Sequence, residues 1–155
     1  NSKKLSAGIN ASYLYSNQEL NAEKVNSETN YQVDFTNKKS KFTGASDLLL
    51  NADLSFFNEW NNKNSNLNTT LAYSYFSDRV NAIGTNGKGD LVDKAFGSLD
   101  FIAKSKLTEN LGLGLVVKNI LDPSINRVQE NATGDVNVLS YKKGMTLSLS
   151  LNYQF

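Results

Sequence analysis

The chain has 155 residues, with 16 Lys+Arg against 15 Asp+Glu, no Cys and no His. Near-cancelling charge argues against a nucleic-acid footprint. The missing Cys and His remove disulfides, thiolate chemistry, the commonest metal ligand and the usual general base. The length suits one domain over 1–155. A mean hydropathy of −0.41 reads as soluble, yet leaves a membrane barrel open, because its strands show lipid only every second residue.

No stretch approaches the ~18–20 apolar residues of a membrane helix, so any spanning must use strands. Asn1-Ser-Lys-Lys4 leads straight into a strand with no signal peptide. A protein exported across the inner membrane needs one, so the expectation is a mature protein or an excised piece.

Leu5, Ala7, Ile9, Ala11, Tyr13 and Tyr15 alternate with Ser6, Gly8, Asn10 and Ser12. The period of two predicts a strand over about 4–16. Residues 17–30 are polar and read as a long loop or ragged hairpin. Tyr31, Val33 and Phe35 resume alternation briefly before a turn at Asn37-Lys-Lys-Ser40. A second strand carries Leu48, Leu50, Ala52, Leu54 and Phe56, with Asp47, Asn51, Asp53 and Ser55 opposite and Leu49 and Phe57 as exceptions. A turn over 58–65 leads to Leu67, Thr69, Leu71, Tyr73 and Tyr75. Residues 79–90 end in Gly84-Thr-Asn-Gly-Lys-Gly-Asp90 and read as a flexible loop. Ala95, Gly97, Leu99, Phe101 and Ala103 give the next strand. A tight turn over 105–109 follows, then Leu111, Leu113, Leu115 and Val117. Residues 124–143 predict a hairpin around Ala132-Thr-Gly-Asp135 that extends the two neighbouring strands. The last strand, 144–155, holds Met145, Leu147, Leu149, Leu151, Tyr153 and Phe155 on one face.

The fold expected is all-β, an antiparallel up-and-down meander of about six to eight long strands, part of or closing into an outer-membrane-type barrel. Connections alternate long and short, as in such barrels. Loops 17–44, 79–91 and 121–143 fall outside, and turns 59–65 and 105–109 face the periplasm. Aromatics are expected in two girdles. Tyr13, Tyr15, Tyr73, Tyr75 and Phe76 form the outer one, and Phe56, Phe57, Trp60, Phe101, Tyr153 and Phe155 the inner one. The wet face carries small polar residues suited to a lumen.

The terminal pattern Leu147, Leu149, Leu151, Tyr153, Phe155 resembles the signal by which the barrel-assembly machinery recognises outer-membrane barrels. Val117-Lys-Asn-Ile-Leu-Asp-Pro123 and Leu139-Ser-Tyr-Lys-Lys-Gly-Met145 carry a narrower resemblance, which covers about residues 110–155. They look like the C-terminal end of a TonB-dependent outer-membrane receptor of the Bacteroidota type, with Asn119, Ile120, Leu121 and Asp122 matching one motif and Tyr141, Lys142, Lys143 and Gly144 the other. That resemblance implies a Gram-negative outer-membrane location, contact with outer-membrane lipid, and a parent importing a metal chelate, vitamin or glycan. It also implies a plug and an N-terminal box that engages an energising TonB-type partner; this chain shows neither, so the partner is expected to act only through an N-terminal part missing here. The isolated chain is expected to pair its open edges with itself or a second copy. The alternatives are a small complete barrel acting as anchor or adhesin, and a soluble carbohydrate-binding sandwich.

Little else suggests chemistry, and no enzyme, cofactor or metal is expected. The 84–90 loop lacks phosphate-loop spacing. Asp90 with Asp93, and Asp122 with Asp135, lack calcium-loop spacing. Asp47 and Asp53 stand too far apart for paired catalysis. Lys38, Lys39 and Lys41 form a small basic cluster whose plain reading is a solvated loop.

Overall fold

The computed structural model describes residues 2–60 and 64–155; the central part of the first inner turn lies outside the described residues. In chain order the elements are β1 (Ser2–Tyr13), β2 (Gln18–Glu19), α1 (Ala22–Glu28), β3 (Lys39–Ser40), β4 (Leu48–Trp60), β5 (Ser65–Phe76), β6 (Arg79–Ala82), β7 (Leu91–Asp93), β8 (Phe96–Lys106), β9 (Leu111–Lys118), β10 (Ser124–Asn131), β11 (Gly134–Lys142) and β12 (Thr146–Tyr153).

The protein is all-β, and its large sheet is an antiparallel up-and-down meander in the order β1-β4-β5-β8-β9-β12. No closed barrel forms: among the described residues β1 and β12 each pair on one side only. The six strands are those the alternation predicts, because each lays its apolar residues on a period of two and is bounded by Asn- and Gly-rich turns.

A second sheet, β11-β10-β7-β6, sits at the end that carries the long connections, the end expected to be outer. It continues the same meander. Phe76 faces Phe96 in β5–β8, and Arg79 faces Asp93 in β6–β7, in one unchanged register. Three successive pairs share one side across the break: Phe76 stacks on Phe96, Asp78 is bridged to Lys94, and Val80 and Val92 are both buried. Alternation therefore carries through. The hairpin β10–β11 likewise prolongs β9–β12, as expected for 124–143. The step between them is set by Asn119 and Asp122, both at positive φ. Asn119 Nδ2 donates to the Gly144 carbonyl, and the Gly144 N–H donates to Asp122 Oδ1.

Two segments differ from expectation. Residues 79–93 are a paired hairpin rather than a flexible loop. The Gly84 N–H bonds Asp90 Oδ1, Phe35 bridges Thr85, and the Gly44 N–H bonds the Val80 carbonyl. Within 17–30, α1 forms behind an Asn21 cap whose side chain accepts from the Lys24 N–H. The buried apolar residues, Val80, Val92, Ile125 and Val128, all lie in the outer sheet.

Candidate functional site: an uncovered apolar face

Register decides which side chains share a face. One hydrogen-bonded row runs Ala7, Leu54, Leu71, Phe101, Val117, Leu147 across all six strands. Stepping two residues along each strand keeps to the same side. Every strand therefore turns its apolar set to one face of the sheet. The other face carries Ser6, Asn10, Asn51, Asp53, Ser55, Asn68, Thr70, Ser74, Ser98, Asp100, Lys104, Ser148, Ser150 and Asn152. These small groups bond one another, as in Ser55 with Thr70 and Ser74 with Asn51.

Nothing among the described residues covers the apolar face. Leu5, Ile9, Leu147, Leu149 and Leu151 are each between 61% and 88% exposed. A soluble sheet that displayed such a continuous patch would aggregate or bind something.

The boundaries of the face are oblique. On β1 the apolar residues occupy 5–13, with Lys3 below them. On β4 they occupy 48–56, with Asn58 below, and on β5 67–75, with Ser77 and Arg79 above. On β8 they run 95–103, with Asp93 above and Ser105 below. On β9 they run 111–117 with Asn119 above, and on β12 145–155 with Lys143 above. The row Lys3, Asn58, Leu67, Ser105, Leu113, Leu151 thus begins polar and ends apolar. The middle of the band lies about five residues lower on β12 than on β1, an average of one residue per strand, with the largest drop between β8 and β9. With ~3.3 Å per residue and ~4.8 Å between strands, that step corresponds to strands tilted ~35° from the normal of a slab. Membrane barrels tilt by ~35–45°.

The terminal pattern lies on this face. Leu147, Leu149, Leu151 and Tyr153 point to it, and Phe155 follows the end of β12 with its ring edge-on to Tyr153 at 5.2 Å. Of the girdle residues, Tyr13, Tyr73, Tyr75, Phe56 and Trp60 share the face, and Tyr15 lies beyond the end of β1. Other aromatics do not fit a girdle. Phe101 sits in the middle of β8, and Phe57 and Phe76 alternate onto the polar face, where Phe76 stacks on Phe96 at 5.0 Å. Their assignment to strand ends counted positions along the chain and ignored which side each faces. The Tyr73 ring lies over Gly97, where a Cβ would overlap its hydroxyl.

The loop residues find partners. Lys41 is paired with Asp47, and Lys39 with Glu19 at 3.6 Å. Asp93 lies between Arg79 and Arg127, and Lys142 reaches Asp122 at 3.7 Å. Lys94 gathers Asp78, Glu130 and Asp135. The strong hydrogen bond from Arg127, joined by one from Arg79, holds the Asp93 carboxyl below its usual range against the opposing effect of burial. Hydrogen bonding to Glu130, then to Asp78, raises Lys94 against its own desolvation. Among the described residues no cluster of three His, Cys, Asp or Glu side chains could hold a metal ion. Among the described residues no helix is long and apolar enough to cross a membrane, a fact that leaves strands untouched. Comparison with known protein families, curated proteins and solved structures finds no match for this chain.

Proposed function

We propose that this chain is a membrane-spanning wall segment of an outer-membrane β-barrel, the C-terminal part of a nutrient receptor of the TonB-dependent kind. Its role is to cross the bilayer, carry the assembly signal at its end, and hold up the outer hairpins that face ligand. One observation carries the membrane part of this reading: the apolar face is uncovered, in phase across six strands, and oblique by about one residue per strand. A lipid slab cut by tilted strands selects that pattern.

The receptor part rests on the sequence resemblance, and one contact supports it. The two motifs meet, with Asn119 and Asp122 of the first gripping the backbone of Gly144 in the second. In this reading the free edges of β1 and β12 belong to neighbouring strands of a larger wall. An isolated copy of the chain pairs those edges with itself or with a second copy, since unpaired backbone is costly in lipid and adhesive in water.

The test is to express the full reading frame that contains this chain in a Gram-negative host. Membranes are then separated by density, and the outer-membrane fraction is checked for heat-modifiable migration and for surface labelling of the 132–135 turn. Recovery of the protein in the soluble fraction without detergent overturns the reading.

A further inference from the structure

The polar face of the large sheet is not uniform. Near the turns that follow β4 and β8, two neighbouring rows repeat one arrangement. The first is Asn68, Lys104, Gly114, Ser150. The second, two residues closer to the turns, is Asn66, Lys106, Gly112, Asn152. Each lysine has an asparagine on one side and a glycine on the other. The missing side chains at Gly112 and Gly114 open a basin of about 610 Å³ over β8 and β9, with Phe57 of β4 in its wall. The Ser150 hydroxyl leans over Gly114, into the space a Cβ would take.

The basin carries charge that the protein leaves unbalanced. Lys104 and Lys106 stand ~6.6 Å apart on one side of β8. Among the described residues neither has a carboxylate partner, whereas Lys39, Lys41, Lys94 and Lys142 each reach one. Lys4 shares the Lys104 row and Glu59 the Lys106 row, so the two rows hold three positive charges against one negative. Lysine on a wet sheet face commonly guards an edge strand against pairing. β8 is the fourth of six strands and is paired on both sides, so that role does not apply. Two like charges this close repel, and an anion held between them relieves the repulsion. Asparagine amides and a serine hydroxyl stand beside them as neutral donors.

Phe57 narrows the ligand. It is a large apolar ring on a face of small polar groups, in the row of Asn68 and Lys104. A site that combines a few placed polar groups with an apolar wall suits an organic molecule better than a bare inorganic ion. We infer that this basin binds a small organic dianion, two carboxylates joined by a short methylene chain. Lys104 and Lys106 each take one carboxylate, the asparagine amides and Ser150 complete the hydrogen bonds, and the chain lies toward Phe57. The inference needs only the polar face, so it stands apart from the membrane reading.

The test is calorimetric titration of the full-length protein in neutral detergent with adipate, and with hexanoate and inorganic phosphate for comparison. Adipate should bind saturably, and the other two about tenfold more weakly. Lys104→Gln and Lys106→Gln should each weaken adipate about tenfold, while Lys118→Gln, four residues beyond Gly114 on the same face, leaves it unchanged. Gly114→Val keeps both charges but fills the floor, and it should weaken adipate as much as losing a lysine does. Native affinity in Gly114→Val would mean that surface charge alone attracts the ligand, and it overturns the basin. Equal affinity for phosphate overturns the organic dianion. A measurement on the unmutated protein guards against a variant that misfolds: adipate should protect Lys104 and Lys106, but not Lys118, from acetylation by acetic anhydride. Equal labelling of Lys104 and Lys106 with and without adipate overturns the site.

Discussion

Leu149→Lys separates a lipid-facing sheet from a water-facing one by the size of its effect. Leu149 is 78% exposed, so about a fifth of its side chain is buried against the sheet. Full burial of a leucine contributes roughly 1.5–3 kcal/mol, so losing that fraction in water costs at most ~0.7 kcal/mol. In a bilayer the same position lies near the middle of the oblique band, where a lysine on the lipid face costs about 2–4 kcal/mol. That is one and a half to three orders of magnitude in the folding equilibrium. Ser148→Lys, one residue away on the polar face, supplies the control and should cost under ~1 kcal/mol. The assay is urea unfolding of the full-length protein in bilayers, followed by heat-modifiable migration. Equal midpoints for the two variants would refute the assignment of faces.

The oblique band makes a stricter demand. With no native cysteine, single nitroxides at Ile9→Cys, Leu149→Cys and Met145→Cys report depth through oxygen and nickel accessibility. Ile9 and Leu149 should read alike, while Met145, on the row of Ile9 by extension of the register, stands ~13 Å further along the strand and should read ~11 Å nearer the outer surface at a tilt of ~35°. Asp93→Asn leaves two guanidiniums without their carboxylate. It should loosen the outer sheet by about 1–3 kcal/mol, discounted for the exposure of both arginines, and show as faster proteolysis near Gly134. The Asp93 carboxyl is held below its usual range, so its stabilisation is complete above the unfolded value of about 3.9. It is lost as pH falls through the lower folded value, and the proteolysis rate of the outer sheet should rise only in that acidic window. Gly97→Val places methyls where the Tyr73 ring lies and should lower the unfolding midpoint, with Tyr73→Ala restoring part of the loss.

The long strands were legible because each repeats apolar and polar residues for eight residues or more, enough to fix type, extent and face. The 124–142 hairpin was legible from its Ala-Thr-Gly-Asp turn. The outer sheet between 79 and 93 was not. Arg-Val-Asn-Ala and Leu-Val-Asp are too short to show a period, and their pairing depends on partners far away in sequence, such as the Gly44 bond to Val80 and the β10 ladder. Glycines 84, 87 and 89 suggest mobility, yet the space at Gly89 is filled by the backbone of Glu130, which only a residue without a Cβ permits. α1 left a weak signal, an Asn21 cap with Glu23 in the first turn, and no buried face to give it a period. The Arg79–Asp93–Arg127 row was invisible for the same reason as the sheet that holds it, since spacings of 14 and 34 residues form no motif.

Phase and slope are separate properties of the sheet, and each carries its own argument. Phase says only that one face is greasy, which any half-buried antiparallel sheet satisfies. A self-contained sandwich would lay a second layer over that face, but here the material that could form one, residues 17–44 and the outer sheet, is gathered at the outer end. Slope is the more selective property. It is not inherited from hairpin lengths, because the paired strand ends Trp60–Ser65 and Lys106–Gly112 lie level to within a residue along the register while the apolar band descends past them. A boundary that drops by about five residues across six strands, while the paired strand ends stay level, is the pattern that a flat medium crossed at an angle would select.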